Sequence, residues 1–166
     1  MHTLTSRVTP TIVGGQYVAD FTGADLLYQA DQYDDNLVDI LDFGVFVTEW
    51  GWFGDPNTPC GDTFPKSDMD ASGALDAQDF GFVASNFLMI GDPDCCAAPL
   101  ALRGPRSSIT VTQLQSMGLG HLAIADLTGD GVLDVADMEA FANGVRPLRP
   151  GDVETGETQS QNAALD

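Results

Sequence analysis

The sequence predicts a mainly α protein made of duplicated loop–helix repeats, with a short β-hairpin near the N-terminus. A twelve-residue acidic pattern occurs three times, at 31–42, 68–79 and 126–137 (loops 1, 2 and 3). Each copy leads into apolar residues at i, i+3, i+4 and i+7, the spacing of one helix face. The first two copies belong to a longer duplication, because Asp31 and Asp68 lie 37 residues apart (68 − 31).

The apolar stripes predict one helix after each acidic loop. They comprise Phe43, Phe46, Val47 and Trp50; Phe80, Val83, Ala84 and Phe87; and Met138, Phe141, Ala142 and Val145. Gly51, Gly91 and Gly144 lie near the ends of the stripes, where helices commonly stop. Trp50 continues the first stripe, so we expect it in the core rather than on a sugar-binding surface.

The acidic residues are concentrated in the three loops. Positions 1, 5, 9 and 12 hold Asp in 11 of 12 cases, and Ser72 is the exception. The loops contain 13 of the 21 Asp residues of the chain. One interpretation is solvated turns in which Asp39, Asp76 and Asp134 cap helices. The shared spacing favours a second interpretation, in which the carboxylates converge on a cation.

The loop length and the turn residues indicate calcium. A hard divalent cation takes six to eight oxygen ligands, which a twelve-residue loop supplies around a sharp turn at position 6. Gly73 and Gly131 occupy that position, and Asn36, which tolerates a left-handed backbone, occupies it in loop 1. Oxygen ligands argue against zinc or copper, and a flexible loop favours Ca²⁺ over Mg²⁺.

Position 12 is Asp42, Asp79 or Asp137, where a standard EF-hand has Glu. Asp at this position, followed directly by an apolar helix, resembles the F-hand repeat of the dockerin family. The resemblance covers residues 29–97 as a duplicated pair, with a single further copy at about 120–145. Dockerin repeats pack in antiparallel pairs and bind a cohesin module on a partner protein, usually in extracellular glycan-degrading assemblies.

The resemblance implies three sets of calcium ligands. They are Asp31, Asp35, Asp39 and Asp42 in loop 1; Asp68, Asp70, Ser72, Asp76 and Asp79 in loop 2; and Asp126, Thr128, Asp130, Asp134 and Asp137 in loop 3. We expect loop 1 to be the weakest site, because Tyr33 replaces a ligand at position 3 and Asn36 replaces Gly at position 6.

The positions that a cohesin would contact depart from the family. Type I dockerins often carry Ser-Thr at positions 10 and 11. The corresponding pairs here are Ile40-Leu41, Ala77-Gln78 and Val135-Ala136. The sequence therefore leaves open a calcium-stabilised module without a cohesin partner.

The predicted organisation has five parts. They are 1–28, strands that resemble the end of a β-sandwich; 29–97, the duplicated pair; 98–107, a linker; 108–146, a third EF-hand-like unit; and 147–166, a disordered tail. In one arrangement loop 3 pairs with 108–121, where Thr110 caps a short helix. Because residues 8–21 resemble the last strands of a β-sandwich, we expect the chain to be the C-terminal portion of a longer protein, or a gene model that lacks its start. Either would explain why the N-terminus MHTLTSRVTP lacks the apolar segment of a secretory signal.

The three cysteines suit one disulfide rather than a scaffold. Cys60 and Cys95 follow equivalent Gly-Asp-Pro triplets in the repeat, so Cys60 is expected to bridge to Cys95 or Cys96. His2 and His121 lack metal-ligand spacing, which argues against zinc.

The charge and the motifs exclude several classes of protein. A net charge of −19 disfavours nucleic acid and anionic membranes as partners, and no segment is apolar enough for membrane insertion. No catalytic motif occurs, so the chain is interpreted as non-enzymatic. The expected function is a calcium-binding, dockerin-like attachment module of an extracellular or cell-surface protein, linked to polysaccharide degradation and binding a cohesin-like partner. The alternative is a calcium-stabilised spacer or surface-adhesion segment without such a partner.

Overall fold

The computed structural model describes residue 4 and residues 8–20, 28–54, 66–92 and 104–148. Within them the elements are β1 (Thr11–Val13), β2 (Gln16–Val18), α1 (Ile40–Glu49), α2 (Ala77–Ser85), β3 (Ser108–Thr110), α3 (Val111–Ser116), a 3₁₀ helix (Gly120–Ala125), β4 (Val132–Asp134) and α4 (Val135–Ala142). All three cysteines lie outside the described residues, as do 98–103 of the predicted linker and 149–166 of the predicted tail.

A helix begins at position 10 of each acidic loop, as the apolar stripes predict. The Asp at position 9 is the N-cap in all three cases, and its carboxylate accepts a hydrogen bond from the backbone N–H two residues later. Each helix is slightly shorter than its stripe, so Trp50, Phe87 and Val145 lie just beyond the last turn. None of these helices is long and apolar enough to cross a membrane.

The N-terminal hairpin is present and strongly exposed. β1 and β2 pair antiparallel, with Thr11 opposite Val18. Gly14 and Gly15 form the turn with φ of +59° and +83°, a left-handed backbone that glycine adopts without strain. Every residue of both strands is exposed. The β-sandwich that the sequence suggested here stays a prediction.

The two repeats of 29–97 contact each other reciprocally. Leu37, at position 7 of loop 1, forms an antiparallel bridge with Ile90, which follows α2. Ala74, at position 7 of loop 2, forms the same bridge with Phe53, which follows α1. Phe53 and Ile90 are 37 residues apart (90 − 53), so each loop pairs with the chain that leaves the other repeat's helix.

Loop 3 pairs with the segment that precedes it. β4, which spans positions 7 to 9 of the loop, runs antiparallel to β3, with Leu133 opposite Ile109. The Thr110 hydroxyl oxygen caps α3 by accepting the Gln113 N–H at 3.1 Å. The arrangement with 108–121 that the sequence left open is therefore the one observed.

A single core joins the duplicated pair to the third unit. Phe141 of α4 lies with its ring centroid 4.7 Å from Trp50, 5.0 Å from Phe80 and 5.4 Å from Phe46. The rings meet edge-on or tilted, the arrangements that aromatic pairs prefer. Units that the sequence divides at a linker thus bury their helices against one another.

Two equivalent glycines test this contact. Gly44 of α1 and Gly81 of α2 occupy the same place in the repeat, but a Cβ at Gly44 would lie 3.3 Å from Leu122 Cβ. A Cβ at Gly81 meets nothing within 4 Å. We expect Gly81→Ala to stabilise the protein by about 1 kcal/mol through helix propensity. Gly44→Ala should destabilise it by about 1 kcal/mol, because overpacking exceeds that gain. Urea unfolding of both variants measures the difference, and equal effects would contradict the contact.

Candidate metal centres

The three acidic loops share one backbone conformation. Position 6 has a positive φ in each, at +65° for Asn36, +85° for Gly73 and +86° for Gly131. Position 4 is also left-handed in all three loops, at +61°, +57° and +74°. Two such residues in the same places show that the common spacing of the sequence produces a common turn.

The carboxylate at position 1 holds this turn in each loop. Its Oδ2 accepts the backbone N–H of position 6, at 3.1 Å for Asp31, 3.1 Å for Asp68 and 2.9 Å for Asp126. A second N–H of the loop donates to Oδ1 of the same carboxylate. The first Asp therefore organises the loop and leaves lone pairs on both oxygens.

The carboxylate at position 12 closes each loop from the helix side. Asp42, Asp79 and Asp137 are fully buried. In each, Oδ1 accepts the N–H of position 3 and Oδ2 accepts the N–H of position 9, the latter at 2.7 to 3.0 Å. With the cap from position 9 this forms a capping box, so the helix caps of the solvated-turn interpretation are present. In loops 1 and 2 the same Oδ1 also accepts the N–H of position 2, so the lone pair that remains for a cation lies on Oδ2.

Loop 2 brings three of its five candidate ligands together, without Ser72 and Asp76. Asp68, Asp70 and Asp79 each place an oxygen so that all three atoms lie within 4.8 Å of one another. Two oxygens on opposite sides of one Ca²⁺ are about 5 Å apart, twice the usual bond length. Asp70 and Ser72 are exposed, so an ion reaches these positions directly from solvent. The geometry and the hard oxygen donors fit calcium.

Loop 3 has the same scaffold with a looser set of side chains. Thr128 Oγ1 lies 3.5 Å from Asp126 Oδ1, and Asp130 Oδ1 accepts the Val132 N–H at 2.8 Å. Asp134 caps α4 through Oδ1. In the described part of the chain, only loop 2 brings three acidic ligand atoms within 4.8 Å of one another. Loop 3 therefore fits calcium in its backbone conformation and residue types, but not in the spacing of its carboxylates.

Loop 1 fits calcium least well. Asp31 and Asp35 are 5% exposed, and Asp35 Oδ2 has no hydrogen-bond partner among the described residues. Arg106 lies beside Asp39, with its Nη1 atom 3.7 Å from Asp39 Oδ2. Lys66 binds Asp34 Oδ2 at 2.7 Å, outside the ligand positions. Neither cation was predicted from the sequence, in which Arg106 is only a basic residue of the expected linker.

Burial destabilises the ionised form of the loop 1 carboxylates. Burial, reinforced by the negative charge of Asp39, raises the pKa of Asp35 to about 6. Burial likewise raises the pKa of Asp31 and of Asp39, and it raises that of Asp42 well above its usual range. In loop 2 the pKa of Asp68 is also raised, by burial and then by the charge of Asp79. These groups favour a proton or a cation over bare ionisation.

We therefore expect the metal-free protein to become more stable as the pH falls from 7.5 to 5. The pKa of Asp35 is higher in the folded state than its ordinary 3.8, so its contribution is present at low pH and lost as the pH rises through about 6. The gain in free energy of unfolding should be about 1 to 2 kcal/mol. Urea unfolding at both pH values measures it. Asp35→Asn should reduce the dependence, and an unchanged slope in that variant would contradict the assignment.

Comparison of the chain with protein-family models, with curated protein sequences and with solved structures gives no match in any of the three.

Proposed function

We propose that this chain is a calcium-stabilised structural module, in which acidic loops hold Ca²⁺ and the ions support the packing of the helices that follow. The observation that carries the proposal is the cluster of Asp68, Asp70 and Asp79 in loop 2. Loop 3 is proposed as a second site because it repeats the same backbone turn and the same hydrogen bonds.

The position of the ligands explains why calcium would stabilise the fold. The position-12 carboxylates belong both to the loops and to the first turns of α1, α2 and α4. An ion on these oxygens joins the start of each loop to its helix. Binding free energy then adds to folding free energy, because the unfolded chain has no such site.

Two buried residues support a structural role over attachment through the first repeat. Ile40 and Leu41, at the positions that a dockerin uses to contact cohesin, are fully buried. The Ile40 N–H donates to the Arg106 carbonyl at 3.0 Å, and α1 packs against the 3₁₀ helix of the third unit. That face of the first repeat is therefore already occupied within the chain.

Attachment to a cohesin-like partner is the second candidate function. Ala77 and Gln78, the equivalent residues of α2, are exposed, so this helix face is open in the second repeat. The dockerin resemblance further suggests an extracellular or cell-surface protein that acts in polysaccharide degradation. Millimolar extracellular calcium would suit a weak site with solvent-exposed ligands such as Asp70 of loop 2.

Isothermal titration of metal-stripped protein with Ca²⁺ and then with Mg²⁺ tests the proposal. We expect stoichiometric calcium binding, a much weaker response to magnesium, and a gain of helical circular dichroism and melting temperature with calcium. Asp20→Asn, an exposed change outside the loops, is the control and should bind calcium like the unmodified protein. Absence of calcium binding would leave the acidic loops as solvated helix caps.

A further inference from the structure

Loop 1 differs from the other loops because a protein cation lies at its ninth position. The backbone N–H of Arg106 donates to Asp39 Oδ2 at 2.9 Å, and its guanidinium Nη1 lies 3.7 Å from the same oxygen. The Arg106 carbonyl accepts the N–H of Ile40, the first residue of α1. These contacts hold the arginine against the junction between loop 1 and its helix.

The ion pair is buried, so each charge depends on the other. The side chain of Asp39 is 0% exposed and that of Arg106 is 20% exposed. Arg106 Nη1, the atom of the ion pair, and Asp35 Oδ2 are both buried without a hydrogen-bond partner among the described residues. A buried charge is tolerated only beside an opposite charge. The guanidinium is therefore the counter-charge of the inner carboxylates of loop 1.

Loops 2 and 3 have no equivalent of this arginine in the described part of the chain. Their position-9 residues, Asp76 and Asp134, accept hydrogen bonds from the helix N–H groups that they cap. The described ion pairs join basic side chains only to Asp34 and Asp39, both in loop 1. Each of these two loops thus concentrates four Asp residues without a described basic neighbour.

We propose that Arg106 takes the place of the metal ion in loop 1, so that this loop folds without calcium and only loops 2 and 3 bind it. The inference rests on the proposed calcium function for its account of loops 2 and 3. A divalent ion in loop 1 would be repelled by the guanidinium and would compete with it for Asp39 Oδ2. The chain would therefore bind two ions with three loops.

The test counts calcium ions in the full chain with and without this charge. We expect two ions by isothermal titration for the unmodified protein and three for Arg106→Gln, because Asp35 and Asp39 then lack their counter-charge. Without metal, Arg106→Gln should melt about 5 °C or more lower, and calcium should restore the loss. Arg106→Lys, which keeps the charge, should still bind two ions.

Two further variants locate the effect. Lys66→Gln removes the other cation at loop 1, which contacts Asp34 and the Gln32 carbonyl rather than a ligand position, and it should leave two ions. Asp31→Asn added to Arg106→Gln should return the count from three to two, which places the gained ion in loop 1.

The outcomes separate this inference from the proposed function. An unmodified protein that binds three ions, or an unchanged count and affinity in Arg106→Gln, would overturn the inference and leave the calcium function standing. One ion in Arg106→Gln and none in the unmodified protein would support the inference and overturn calcium binding by loops 2 and 3. No binding by either protein would overturn both. If Arg106→Gln does not fold, Asp31→Asn alone decides, since loss of one ion would show that loop 1 holds calcium.

Discussion

Phe141→Ala is expected to destabilise the protein by about 3 to 5 kcal/mol, because it removes the buried ring that packs the third unit against the duplicated pair. Phe141 is 2% exposed and packs against Phe43, Phe46, Trp50 and Phe80. Its loss would also remove one of the two rings that the Arg146 guanidinium contacts, 4.1 Å from the ring centre. Urea unfolding in saturating calcium measures the change.

The control for this prediction is another phenylalanine of the same chain. Phe53 is 76% exposed, so Phe53→Ala should change the free energy of unfolding by no more than about 0.5 kcal/mol. A loss near 1 kcal/mol for Phe141→Ala would show that the third unit packs loosely on the repeats. A single cooperative transition in the unmodified protein is expected, since the two parts share one core.

Asp79→Ala is expected to abolish calcium binding at loop 2 and to destabilise the calcium-free protein by about 2 to 4 kcal/mol. The carboxylate accepts the N–H groups of Met69 at 2.7 Å, Asp70 at 3.4 Å and Asp76 at 3.0 Å, and alanine would leave all three donors without this acceptor. Titration calorimetry measures the lost site, and urea unfolding of stripped protein measures the lost stability.

Asp70→Asn is the matched variant that separates the two roles. Asp70 belongs to the same cluster but is exposed, and its Oδ1 accepts only the Ser72 N–H, which an asparagine oxygen also accepts. We expect calcium affinity at loop 2 to fall by at least about tenfold, with little change in the stability of calcium-free protein. Unchanged calcium affinity in Asp70→Asn would contradict a ligand role for Asp70.

The local structure followed closely from sequence patterns. The acidic spacing with Gly or Asn at position 6 predicted three similar turns, and the apolar stripes predicted three helices. Both patterns express short-range constraints, namely left-handed backbone at position 6 and one apolar helix face. The helix ends were predicted less accurately. Trp50 and Phe87 pack against the core from outside the last helical turn, and Val145, which also lies beyond its helix, is exposed.

The residue types of the candidate sites could be predicted from the sequence, but the side chains that surround each loop could not. All three loops contain four Asp at positions that a calcium loop uses, with Ser72 and Tyr33 as the visible departures. The neighbour that distinguishes loop 1 is Arg106, which lies 67 residues from Asp39 along the chain. A pattern of residues that are close in sequence cannot predict a contact between residues so far apart along the chain.

The sequence alone determined the repeat, the acidic turns, the helix caps and the helices, because each depends on residues within about one loop length. Only the tertiary structure decided that the third unit packs on α1, that Ile40 and Leu41 are buried, and that Arg106 lies beside Asp39 of loop 1. These features arise from contacts between distant segments. Burial and charge compensation depend on which surfaces meet, and the periodicity of a single segment carries no information about its partner.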